Sequence, residues 1–287
     1  MTMVLRDRMR EDIKLAGLAE STGQVYVRHV KRYAEHFCRP PGQMGSVEVR
    51  SFLLYLTCTR KLAASTLIVY AAAIAFFYRY TLGRPEVMIN IPLPKRKRPS
   101  INVPTRDEVR RILDSAHSDF HRTMLLTTYA AGLRRMEVTA LRIEDIDSAA
   151  NLINIQNGKG GKSRVTVLGP ALLQELRDHW RRCRPAHRWI FPAKNSKGQW
   201  EDRPMPRDSA TKAFAIAKKR AGITRRLSLH SLRHACATHM LEDGVDLRTI
   251  QVLLGHANIE TTTQYAHVAT ELISRTPSPL EVLKASR

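Results

Sequence analysis

The pattern of apolar and polar positions divides the chain into helical stretches with one strand-like interruption. In the first 83 residues each apolar stretch follows a residue suited to opening a helix. Ser21 and Thr22 can cap a helix running to about Cys38, Ser46 another to about Thr59, and Ser65 a strongly apolar one ending near Gly83. Three or four helices in so short a span predict a small bundle. The pattern resumes at Thr105, where Thr105 and Glu108 have capping-box spacing, and helices follow to about Leu141. NLINIQ and SRVTVL then flank NGKGGK, which reads as a hairpin. After Pro170 the pattern is helical to the C-terminus, with breaks at Pro185, Asn195 to Pro206, Gly222, Gly244 and Gly255. The expected fold is mainly α with a small antiparallel β-sheet, and no internal repeat is visible.

Between the two patterned parts lies RPEVMINIPLPKRKRPSINVP, with prolines at 85, 92, 94, 99 and 104. Proline opposes helix and sheet alike, so residues 84–104 read as an extended linker. The expected division is a helical domain over 1–83, a basic proline-rich linker over 84–104, and a second domain over 105–287 with a tail from about 268. The linker carries the run Lys95, Arg96, Lys97, Arg98. A solvated tether or a localisation signal is the plain alternative for that run.

Charge gives these parts a partner. Lys and Arg total 47 against 26 Asp and Glu, a net charge of +21 over 287 residues. Both domains and the tether are basic, as expected of a protein that closes around a polyanion, and nucleic acid is the usual one. A basic membrane protein would need a long apolar run, and the stretch from Tyr70 to Tyr78 is too short to span a bilayer. The N-terminus MTMVLRDRMREDIK has no apolar signal core. Cys38, Cys58, Cys183 and Cys236 lie far apart, which argues against a disulfide framework or zinc ribbon. The expected setting is a reducing cytoplasm, associated with the nucleoid.

Candidate chemistry lies in five motifs. GKGGKS ends like a phosphate-binding loop, but Gln156 stands where the first glycine is needed and a strand follows. It reads instead as a turn presenting Lys159 and Lys162. IEDID offers three carboxylates, but they are contiguous and follow a helix end, so a solvated turn is expected rather than a two-metal site. LHSLRHACATHML suggests a metal, until helix spacing is applied. His230, Arg233 and His234 share one face, while His239 turns away. Arg233 on that face repels a cation and suits a phosphate. In YAAGLRRMEVTAL, Gly132 precedes Arg134, and Glu137 can orient its guanidinium. LLGHANIETTTQYAHV places Gly255 and His256 at a helix end and Tyr265 nine residues after His256.

Taken in order, GLRRMEV, GKGGKSRVTVL, HSLRHACATHML and LLGHANIETTTQYAHV resemble the catalytic domain of the tyrosine recombinases, of phage-integrase and Xer type. The likeness covers nearly all of 105–268. The N-terminal bundle and linker are similar to that family's SAM-like core-binding domain, and the two domains would form a C-shaped clamp on DNA. The resemblance implies six catalytic residues: Arg134, Lys159, His230, Arg233, His256 and Tyr265. Tyr265 would be the nucleophile and form a 3′-phosphotyrosine. Lys159 would be the general acid, with Lys162 as its alternative. Glu137 would steady Arg134, and His234 would support His230. Lys95, Arg96, Lys97, Arg98, Lys162 and Arg164 would contact DNA. The family's chemistry needs no metal, cofactor or ATP. The implied partner is double-stranded DNA, with a homotetramer on synapsed sites and no membrane. A DNA-binding architectural protein without chemistry and a type IB topoisomerase-like relaxing enzyme are the rival readings. The modest loop at Asn195 to Pro206 leans towards a compact Xer-like or transposon-encoded recombinase.

Overall fold

The computed structural model describes residues 3–94, 102–156, 163–183 and 188–255. The chain forms two compact units, Met1–Pro99 and Ser100–Arg287. Among the described residues, no helix is long and apolar enough to cross a membrane.

The described residues of the first unit form four α-helices: α1 (Met3–Leu15), α2 (Glu20–Phe37), α3 (Ser46–Cys58) and α4 (Ala64–Phe76). The last turn of α4 continues as a π-helix over Phe77–Thr81. Met9, Val30, Tyr33, Phe52, Ile74 and Phe77 fill the core. Two tyrosines satisfy their hydroxyls inside it. Tyr78 donates to the Pro41 carbonyl at 3.1 Å, which leaves Tyr33 to donate to Tyr78, also at 3.1 Å. At Gly23 on α2, a Cβ would stand 2.7 Å from the Ile13 side chain, so glycine is what lets α1 and α2 meet there.

The helix spans match the expected ones to within two residues, but the expected caps do not form. Ser46 is the first residue inside α3, and the cap bond runs from the Gly45 N–H to the Glu48 carboxylate at 2.8 Å. Helices α2 and α4 begin after Ala19 and Ala63, with no side-chain cap at either. The linker is also shorter than expected. Pro85 opens a 3-10 turn over Pro85–Met88, and Val87 is buried against the bundle. Proline is tolerated there because the first N–H of a helical turn has no partner in any case.

In the second unit the Thr105–Glu108 capping box forms as read. Thr105 Oγ1 accepts the Glu108 N–H at 3.2 Å, and Glu108 accepts the Thr105 N–H at 2.8 Å. It opens α5 (Arg106–Asp114), followed by α6 (Asp119–Ala130) and the short α7 (Arg135–Thr139). Strands β1 (Ile146–Asp147), β2 (Leu152–Ile155) and β3 (Arg164–Val167) make one antiparallel sheet. The expected hairpin is β2–β3, with Ile155 paired to Arg164 and Ile153 to Thr166. Then come α8 (Pro170–Cys183), β4 (Pro192–Lys194), β5 (Trp200–Pro204), α9 (Arg207–Arg220), α10 (Leu229–Glu242) and α11 (Leu247–Leu254). The core packs Leu125, Leu133, Phe191, Phe214 and Leu232 between the helices and the sheet. Gly222, Gly244 and Gly255 end their helices with positive φ.

Two expectations need correcting. The stretch expected to hold only a loop between helices forms the β4–β5 hairpin, turned by Asn195, whose Oδ1 accepts the N–H groups of Lys197 and Gln199 at 2.9 Å. IEDID is not simply a solvated turn. Asp145 is buried and accepts the Arg142 N–H and Gln156 Nε2, each at 2.9 Å, while burial pushes its carboxyl above the usual value.

Candidate active site

Gly132 sets the geometry. It follows α6 with φ +59, and a Cβ there would stand 2.6 Å from Leu254 Cδ2 and 3.3 Å from Cys236 Sγ. Only glycine both adopts that backbone and lets three segments meet. Its carbonyl accepts Arg233 Nη1 at 2.5 Å. Two residues on, Arg134 occupies the position before α7 and is held three ways. Its N–H donates to Glu137 Oε2 at 2.8 Å, its Nη1 to Glu137 Oε1 at 2.7 Å, and its Nη2 to the Gly255 carbonyl at 2.8 Å.

Glu137 gathers three cations. Besides Arg134 it takes Arg164 Nη2 at 2.6 Å and lies 3.8 Å from Arg233 Nη1. Burial alone would raise its carboxyl, but the Arg164 and Arg134 guanidinium groups and the Arg134 N–H hold it below the usual range. It therefore stays ionised at neutral pH. Three guanidinium groups against one carboxylate leave two positive charges in excess. That excess is concentrated in a largely water-free region, where it acts strongly on an arriving anion.

The three arginines also close the C-terminal end of α11. Arg164 donates to the Leu253 carbonyl, Arg233 to that of Leu254 and Arg134 to that of Gly255. These are the carbonyls that a helix end leaves without partners, at the negative end of its dipole.

His230 lies in the first turn of α10, with the His234 ring edge-on at 4.6 Å. Crowding of its ring by protein, then Arg233 and Arg134, hold His230 below the ordinary imidazole value. His234 is lowered to about 4, first by burial, then by His230 and Arg233. Both rings are neutral at pH 7, and a neutral imidazole can accept a proton.

The rest of the motif does not converge on a metal. Cys236 packs against Gly132, and burial pushes its thiol up to about 11. His239 is buried on another face, its Nδ1 2.8 Å from the Tyr129 hydroxyl.

The structure thus brings Arg134, Glu137, His230, Arg233 and His234 together. Lys159, Lys162, His256, Tyr265 and the run Lys95, Arg96, Lys97 and Arg98 lie outside the described residues. Arg164 departs from its expected place among the DNA contacts. Its side chain is only 8% exposed, with one terminal nitrogen on Glu137 and the other on the Leu253 carbonyl. No local pattern marks this inward turn, because its acceptors, Glu137 and the Leu253 carbonyl, lie 27 and 89 residues away.

Residues 102–271 match the phage integrase family, and residues 5–86 match the phage integrase N-terminal SAM-like domain. The protein y4qK of Sinorhizobium fredii is 39% identical over 280 residues, 97% of this chain and 89% of that one. Tyrosine recombinase XerA of Pyrococcus horikoshii is 31% identical over 263 residues, 90% of this chain and 87% of the other. In fold, the chain is similar to a lambda integrase dimer bound to a core site. That match has a TM-score of 0.73 and 17% identity, covering 92% of this chain and 94% of the other. The chain belongs to the phage integrase family, the tyrosine recombinases, enzymes that break and rejoin DNA.

Proposed function

We propose that the protein is a site-specific recombinase that exchanges strands of double-stranded DNA through a 3′-phosphotyrosine formed on Tyr265. The observation that carries this reading is the convergence of Arg134 and Arg233 on one buried carboxylate, with a neutral His230 beside them. That set is shaped for a phosphodiester. The non-bridging oxygens carry negative charge that repels a nucleophile, and the charge grows towards the pentacoordinate transition state. Fixed guanidinium groups neutralise it without having to reorganise.

In the proposed step the Tyr265 hydroxyl attacks phosphorus and the bond to the 5′-oxygen breaks. Free phenol has a pKa near ~10, so the proton must be taken up during attack, and the neutral His230 is assigned as its acceptor. Lys159 returns a proton to the departing 5′-oxygen, and His256 hydrogen-bonds the phosphate. The phosphotyrosine conserves the energy of the broken bond, so a second 5′-hydroxyl can reverse the step without ATP. Arg134 and Arg233 supply the charge that a metal provides in other phosphoryl-transfer sites. Lys95, Arg96, Lys97, Arg98 and Lys162 are assigned to the DNA backbone. The working form is a homotetramer on two synapsed sites.

The test uses a nicked suicide duplex carrying the sequence that the protein selects from a random pool. The wild-type protein forms a covalent adduct on it and Tyr265→Phe does not. A bound duplex with no adduct in the wild type overturns the proposal.

A further inference from the structure

Arg164 carries an inference of its own. It opens β3, five positions after Lys159 in the sequence, and its guanidinium points inward. One terminal nitrogen binds Glu137 Oε2 at 2.6 Å. That oxygen also accepts the Arg134 N–H at 2.8 Å and lies 3.8 Å from Arg233. The other terminal nitrogen binds the Leu253 carbonyl. A single planar group therefore spans the acid that orients Arg134 and the last turn of α11. The chain passes so close over its stem that a Cβ at Gly255, where φ is +61, would collide with Arg164 Cδ. His256 is the next residue and Tyr265 follows nine positions after it.

Stability alone does not explain an arginine here. Its Nε is buried without a partner among the described residues, and a desolvated unpaired donor is a cost. Buried ion pairs are often matched or improved upon in stability by well-packed apolar side chains. What an apolar residue cannot supply is a rigid fork that fixes two acceptors at a set separation.

We propose that Arg164 is a positioning residue for the strand-transfer reaction, holding Glu137, and through it Arg134, in register with the end of α11 from which His256 and Tyr265 follow. It acts through these groups and not on the DNA. The inference rests on the proposed role of Tyr265. Its loss lets the arginines drift relative to the nucleophile-bearing segment, while the phosphate contacts that dominate affinity remain. Misplacement by about 1 Å is enough to cost roughly 100-fold in rate.

The experiment compares wild type, Arg164→Met and Arg164→Lys on the selected suicide duplex. Single-turnover adduct formation at saturating protein, DNA affinity and the thermal midpoint are all measured. Arg164→Met is expected to lose about 100-fold in rate while binding DNA within about threefold of wild type. Arg164→Lys keeps the charge beside Glu137 but cannot span both acceptors, so it recovers part of that rate. A rate for Arg164→Met within about threefold of wild type overturns the inference and leaves the Tyr265 reading intact. So does a loss shared equally by rate, affinity and thermal midpoint, with Arg164→Lys no better than Arg164→Met. No adduct from the bound wild-type protein overturns both together.

Discussion

Arg233 ties α10 to the Gly132 backbone and to the end of α11. It is 1% exposed and binds the Gly132 and Leu254 carbonyls, so its guanidinium plane is fixed before any phosphate arrives. Arg233→Lys keeps the charge but loses the fork. Adduct formation is expected to fall about 100-fold or more, with a much smaller change in DNA affinity. Equal losses in rate and affinity would show that Arg233 merely binds. His230 gives a second prediction. A base must be neutral, and a free imidazole protonates near ~6.5. His230 is held below that value, so the rate is complete above its folded pKa and lost as pH falls through it. The acid limb of the adduct-forming rate measured below saturation, which reports the DNA-free protein, therefore lies below pH ~6.5. A rate already half lost at or above that pH would contradict His230 as the acceptor. At this scale the sequence was informative where spacing alone decides geometry. His230, Arg233 and His234 share a helix face because three- and four-residue steps put them there. The inward turn of Arg164 was not legible, because alternation along a strand says which side a residue faces, not whether a long side chain turns back to a buried carboxylate.

Among the elements, those with a local chemical signature were legible before the structure. The Thr105–Glu108 box is one, since both of its bonds are made within four residues. Thr105→Ala is expected to cost about 1 kcal/mol in urea unfolding while leaving adduct formation unchanged. A loss of rate without a loss of stability would mean that α5 has a catalytic task. The β2–β3 hairpin was legible too, because Ile153 and Ile155 alternate with less buried neighbours. The β4–β5 hairpin was not. PAK and WEDRP carry prolines and charges instead of β-branched residues, and they are held by the Asn195 turn and by Lys194 lying 4.2 Å over the Trp200 ring. The missing caps of α2 and α4 teach the same lesson. Ser21 and Ser65 lie inside their helices, whose starts are set by burial of residues such as Val30 and Leu67 against the bundle. The Arg164–Leu253, Arg233–Leu254 and Arg134–Gly255 bonds were out of reach of any local reading, since their partners lie 21 to 121 residues apart.

For the whole molecule, net charge is the dominant fact. At +21 the chain carries a field that an extended polyanion would neutralise. DNA affinity should fall linearly in a plot of its logarithm against that of salt concentration. Changing Lys95, Arg96, Lys97 and Arg98 together to Gln should reduce that slope by about 3 to 4. An unchanged slope would remove the linker run from the contact surface. Composition showed the partner class early because charge adds up without regard to fold. The two-unit organisation was visible in proline content, although the 3-10 turn at Pro85–Met88 shows that proline can also belong to a packed edge.

The central claim concerns one oxygen atom, the Tyr265 hydroxyl, and it is tested most directly by locating the bond it forms. The adduct on the suicide duplex is digested with nuclease and protease, and the modified peptide is sequenced by mass spectrometry. The account predicts a nucleotide joined through its 3′-phosphate to Tyr265. Attachment at another residue, or through a 5′-phosphate, would contradict it.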